Sequence, residues 1–114
     1  MTYITTPHEE FPMKEKKSFL NQKIDLKSPN KNIVPLTTSI ESDGKLSIGG
    51  CSIEELVEKY DSPLYILDEL TLRNSCRAYK EALEKHYPGE SLPIYASKAN
   101  SSIFMSNLIA SEGL

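Results

Sequence analysis

The sequence predicts an α/β fold. From Gly49 onward, apolar residues recur with alternating periods, giving the order helix, strand, helix, strand, helix, and this alternation is the mark of α/β architecture. The strand candidates are short apolar runs bounded by proline or glycine, and the helix candidates carry apolar stripes at helical spacing between capping and stop residues. The 114 residues, 39% hydrophobic and 25% charged, are enough for one small core. An α/β barrel takes about 250 residues, so any barrel reading makes this chain one part of a longer protein.

Residues 1–32 are polar, with Lys14, Lys16 and Lys17 clustered and Phe11, Leu20, Ile24 and Leu26 scattered among them. They read as a disordered or loosely attached leader. Residues 33–36 form a short extended candidate. Ser42-Asp43-Gly44 is a hairpin signal, because glycine accepts the positive φ such a turn demands. Residues 45–48 then alternate as a strand, and Gly49-Gly50 closes it as a backbone turn without a phosphate-loop pattern.

The spacing predicts a helix over 52–60. Ser52 and Glu55 have capping-box spacing, and Ile53, Leu56, Val57 and Tyr60 form one stripe. Asp61-Ser62-Pro63 ends it, since the residue before proline avoids helical geometry. Residues 64–67 read as a buried strand. A longer helix is expected from about Glu69 to His86, with Leu72, Cys76, Tyr79 and Leu83 on one face, a surface pair Glu81 and Lys85, and Pro88-Gly89 as its stop. Residues 92–97 read as a third strand. Ser101 or Ser102 caps a last helix carrying Ile103, Phe104, Leu108 and Ile109, and Gly113 stops it.

Thirteen basic and sixteen acidic residues give a net charge of −3, which offers no basic excess for a polyanion. The charge is uneven: residues 1–32 hold six lysines against four acidic residues, leaving the rest at −5. No nucleic-acid partner is expected. No apolar run spans a membrane and no signal core is present, so a cytoplasmic protein without a membrane partner is expected. Cys51 and Cys76 lack metal-ligand spacing and read as small hydrophobes in a reducing compartment, with no metal site. His8, His86 and the Glu54-Glu55 pair read as surface features, and Tyr95 as packing.

Lys98 stands apart. On the predicted strand it shares a face with Ala96 and Ile94, at the carboxyl end and just before a helix, where α/β folds bind ligands. Desolvation there favours the neutral amine, which attacks an aldehyde to form a Schiff base. A lysine at a strand end is usually a solvated surface charge, so spacing alone does not decide for this role.

The words around Lys98 go further. Tyr95-Ala96-Ser97-Lys98-Ala99-Asn100-Ser101-Ser102 resembles the cofactor-lysine motif of alanine-racemase-like pyridoxal-phosphate enzymes, in their ornithine/diaminopimelate/arginine decarboxylase branch. Pro63-Leu64-Tyr65-Ile66-Leu67-Asp68-Glu69 with Leu72-Arg73, the run Gly44 to Gly50 and the run Leu108 to Leu114 extend the likeness over residues 33–114 in matching order, and favour the diaminopimelate decarboxylases.

The resemblance implies the N-terminal part of a pyridoxal 5′-phosphate-binding TIM barrel, with residues 33–68 associated with a second, β-rich domain and residues 69–114 starting the barrel. It implies Lys98 as catalytic and cofactor-holding residue, Ala96 as a contact of the cofactor ring, an amino-acid substrate and a homodimer. The reaction implied is conversion of meso-2,6-diaminopimelate to L-lysine and carbon dioxide. The family's phosphate loop, its acidic partner of the pyridine nitrogen, its substrate-binding residues and its cross-dimer cysteine all follow later, so neither Cys51 nor Cys76 takes that role. The chain alone is expected to be inactive. Rival readings are ornithine or arginine decarboxylase, alanine racemase or a small pyridoxal-phosphate carrier protein, and, from another class, a non-catalytic remnant or interaction module.

Overall fold

The computed structural model describes residues 33–114 and the backbone of Tyr3–Thr5. Among the described residues five short strands and three helices follow one another: β1 (Tyr3–Thr5), β2 (Ser39–Ile40), β3 (Leu46–Ile48), β4 (Cys51–Ser52), α1 (Ile53–Tyr60), β5 (Tyr65–Leu67), α2 (Glu69–His86) and α3 (Ile103–Ser111). Two compact units result, one ending at Thr71 and the other spanning Leu72–Leu114, so the division falls within the first turn of α2.

In the first unit β2, β3 and β4 form an antiparallel meander. The expected hairpin turn is present: Gly44 has φ +83°, and Asp43 Oδ1 accepts from the Lys45 amide at 3.1 Å. Gly49 and Gly50 both have positive φ, at +60° and +75°. They make a two-residue turn between β3 and β4, a geometry that opposes a Cβ at both positions. Their turn therefore joins strand to strand, and the chain enters α1 straight from β4. Polar side chains bind this sheet. Ser47 is buried, its hydroxyl lies 2.6 Å from that of Ser39, and it donates to Glu41 Oε1 at 2.7 Å.

The helix expected over 52–60 forms, but its capping box does not. Ser52 has the extended backbone of an N-cap without a side-chain cap bond. Ser52 lies opposite Ser47 at the end of β4, and at the start of α1 Glu54 pairs with Lys45 at 3.0 Å. Asp61 ends α1, its amide bonding Val57 O.

Residues 33–36 are not a strand. Pro35 has no N–H to give a ladder, its carbonyl closes a turn with the Thr38 amide, and the Leu36 amide bonds Thr71 Oγ1 at 2.8 Å. The expected strand over 64–67 is observed as β5, paired in parallel with β1 through Tyr3↔Tyr65, Ile4↔Ile66 and Thr5↔Leu67. The leader reading of residues 1–32 did not include β1; its remaining residues lie outside those described.

Asp68, buried ahead of α2, accepts from the Thr71 amide at 3.2 Å and from the Thr71 hydroxyl. This caps the helix start and, through Leu36, ties an upstream loop to it. In the second unit Cys76 of α2 and Met105, Leu108 and Ile109 of α3 are buried. Tyr79, expected on the apolar face of α2, is 68% exposed.

Ser102 is the N-cap of α3, its hydroxyl accepting from the Met105 amide at 3.3 Å. At the other end the Leu114 amide bonds Ile109 O and the Gly113 amide bonds Ala110 O, with Gly113 at φ +81°. That is a Schellman stop, with glycine at the left-handed position. Ser102→Ala is expected to destabilise the protein by about 1 kcal/mol, seen as a lower denaturant midpoint with an unchanged m-value.

Candidate functional site

The residues expected to form a strand over 92–97 make no ladder. Among the described residues no strand offers this run an edge, and Leu92 and Ile94 are 70% and 82% exposed. The desolvated face expected for Lys98 is consequently absent here: Ile94, Ala96 and Lys98 are all exposed. Alternation buries a face only when a sheet is there to be covered.

Lys98 instead lies in a turn in which the Ala99 amide donates to Ala96 O at 3.3 Å. Three further bonds run from this turn to α3. The Tyr95 hydroxyl donates to Asn100 O at 3.2 Å, the Ser102 amide donates to Asn100 Oδ1 at 3.0 Å, and the Met105 amide donates to Ser102 Oγ. Tyr95 is thus a hydrogen-bond donor as well as a packing residue. Ala96 and Lys98 both belong to the turn, and among the described residues Lys98 has no acidic partner. The Lys98 amine is exposed to solvent, as is the small Ala96 two residues before it.

A second cluster joins α2 to the end of α3. Arg73, Arg77 and Lys80 occupy one face of α2 at helical spacing. Glu112, whose side chain is 8% exposed, receives Arg73 Nη1 at 2.6 Å and Arg77 Nε and Nη2 at 2.8 and 2.9 Å. Lys80 Nζ donates to Glu112 O at 2.9 Å, and Arg73 Nη1 also reaches Ser111 Oγ at 2.9 Å. The bonds from Arg77 and Arg73 hold the Glu112 carboxyl below the ordinary glutamate range against the opposing effect of burial. The Cys76 thiol beside it is pushed up, chiefly by burial and then by the Glu112 charge. This cluster is a structural clamp. It was not anticipated from the sequence, although a basic stripe at i, i+4 and i+7 signals the need for a counter-charge.

Cys51 is half-buried and Cys76 buried, both as free thiols. His86 closes α2 on an exposed turn, Glu54 and Glu55 are exposed on α1, and His8 lies outside the described residues. Among the described residues no three His, Cys, Asp or Glu side chains gather as a metal site, and no helix is long and apolar enough to cross a membrane.

The fold and site define an α/β chain that presents a lysine amine on a braced turn ahead of a capped helix. Comparison with known proteins shows what it is similar to. The chain is 53% identical over 87 residues to diaminopimelate decarboxylase of Synechocystis sp., which covers 76% of this chain and 19% of the relative. It is 37% identical over 78 residues to the Bacillus methanolicus enzyme of the same name and 38% identical over 79 residues to that of Bacillus subtilis, in each case 68% of this chain and 18% of the relative. No family model matches the chain, and no solved structure matches it significantly. The chain is thus similar to one stretch of the diaminopimelate decarboxylases, and it spans about a fifth of the length of the curated relatives it matches.

Proposed function

We propose that the full-length protein decarboxylates meso-2,6-diaminopimelate to L-lysine and carbon dioxide with pyridoxal 5′-phosphate, held covalently at Lys98 Nζ. The observation that carries this reading is the 53% identity to a diaminopimelate decarboxylase over three-quarters of the chain. The presentation of Lys98 as an amine without an acidic partner supports it. When bound, the cofactor supplies an electron sink for the carbanion left by loss of carbon dioxide. In this reading Lys98 would hold it, and Ala96 is assigned as a contact of its ring.

In this reading residues 69–114 begin a TIM barrel, residues 33–68 associate with a β-rich domain, and the enzyme works as a homodimer in the cytoplasm. The segment over 92–97, without a sheet partner among the described residues, becomes the first barrel strand when the rest of the barrel supplies its neighbours.

The test is carbon dioxide release by the full-length protein from meso-diaminopimelate, L-ornithine and L-arginine, with pyridoxal phosphate present. A kcat/KM for meso-diaminopimelate at least about a hundredfold above the other two is expected. A preference for ornithine or arginine overturns the substrate assignment, and no release from any of the three overturns the decarboxylase reading.

A further inference from the structure

We infer that Tyr95 and Asn100 are positioning residues for Lys98. Together they close the turn that carries the amine and fasten it to the start of α3. The inference rests on the reading of Lys98 as the cofactor-holding residue and adds what makes that lysine ready for its ligand.

Lys98 sits between the two ends of one clasp. Tyr95 lies three residues before it and Asn100 two residues after, and the Tyr95 hydroxyl bonds the Asn100 carbonyl across the interval. The turn has one backbone bond of its own, Ala99 N to Ala96 O, at 3.3 Å the long side of the usual range. One such bond holds an exposed turn weakly.

Asn100 passes the restraint on. Its carbonyl accepts from Tyr95 and its side-chain oxygen accepts from the Ser102 amide, so main chain and side chain are both occupied. Ser102 then caps α3 through the amide of Met105, which is 4% exposed. A continuous series of bonds therefore runs from the half-buried Tyr95, around the lysine turn, into the packed part of α3. None of these bonds uses the Lys98 amine, which stays available.

Positioning of this kind acts on rate. A turn that wanders presents its amine in the reactive direction for a smaller fraction of the time, and holding a reacting group in place removes that loss. Tyr95→Phe keeps the ring and deletes the donor. Asn100→Ala deletes the acceptor for Ser102, whereas Asn100→Asp retains an oxygen there.

The experiment uses the full-length apo protein, with attachment of pyridoxal phosphate followed by visible absorbance and the modified lysine located by borohydride reduction and peptide mapping. The rate constant for attachment is expected to fall about 3- to 10-fold in Tyr95→Phe and in Asn100→Ala, with Asn100→Asp near the wild-type rate. Each variant should still reach one cofactor per chain. In the absence of cofactor, amide hydrogen exchange at Ala99 should quicken in Tyr95→Phe while exchange in the middle of α3 is unchanged, a local effect that general destabilisation does not produce.

Attachment rates within about twofold of wild type in both variants, with the label on Lys98, overturn the clasp and leave the Lys98 reading intact. A wild-type label on another lysine overturns the Lys98 reading and this inference with it. If Tyr95→Phe does not fold, the contrast between Asn100→Ala and Asn100→Asp decides, since equal rates for those two refute the positioning role.

Discussion

Lys98→Ala in the full-length protein is expected to lose at least about a thousandfold in decarboxylation, the scale seen when a residue that bonds covalently to its ligand is removed. Lys98→Arg should be equally inactive. It keeps the positive charge, but its guanidinium stays protonated and is no nucleophile toward a carbonyl. Borohydride should leave no label on the peptide spanning Tyr95 to Asn100 in either variant. Lys98 is exposed and has no acidic partner among the described residues, so its removal leaves no orphaned carboxylate there. Thermal unfolding should consequently move little, which separates lost chemistry from lost structure. Substantial activity in Lys98→Ala would show that the amine is not the attachment point.

Glu112→Ala is expected to have the largest effect on stability, a loss of about 2 kcal/mol. The carboxylate receives three guanidinium N–H bonds, and bonds to charged groups are the stronger kind. The expectation stays modest because the Arg77 side chain is 52% exposed, so water can take over part of what the carboxylate supplied. Glu112→Gln, which keeps an acceptor oxygen and loses the charge, should fall between Ala and wild type.

The pH dependence has a definite sign. The folded-state pKa of Glu112 is lowered, first by the hydrogen bond from Arg77 and then by that from Arg73. Its contribution is therefore complete above the ordinary glutamate pKa of the unfolded chain. It disappears as pH falls from there through the lower folded value. Denaturant titrations of wild type and Glu112→Gln should give a stability difference that is largest near neutrality and shrinks in acid. A difference independent of pH would mean that the carboxylate charge is not what holds the clamp.

The local elements were legible where short-range chemistry decides them. Asp61-Ser62-Pro63 ends α1, Gly44 turns the β2–β3 hairpin, Ser102 caps α3 and Gly113 stops it, each because a backbone group or a positive φ needs that residue type. The limits of α2 were legible for the same reason, from its apolar period and Pro88-Gly89. The capping box at Ser52 did not form, and the strand over 92–97 failed because a strand is a relation between two segments. The pairing of β1 with β5 was hidden for a related cause: Tyr3-Ile4-Thr5 is too short to announce itself, and its partner is about sixty residues away.

At the candidate site, the words around Lys98 and Ala96 single them out in the sequence, whereas the bonds that hold their turn could not be read there. By itself the sequence determined the helix limits, the hairpin at Gly44 and the strand over 65–67, and it pointed to Lys98 through the motif that surrounds it. These depend on residue type and on spacing over a few positions. Only the tertiary structure decided that Tyr95 reaches the Asn100 carbonyl, that Asp68 and Thr71 tie a distant loop to α2, and that Glu112 gathers Arg73, Arg77 and Lys80. Those bonds depend on distances between side chains, and such distances are set when separate segments pack together.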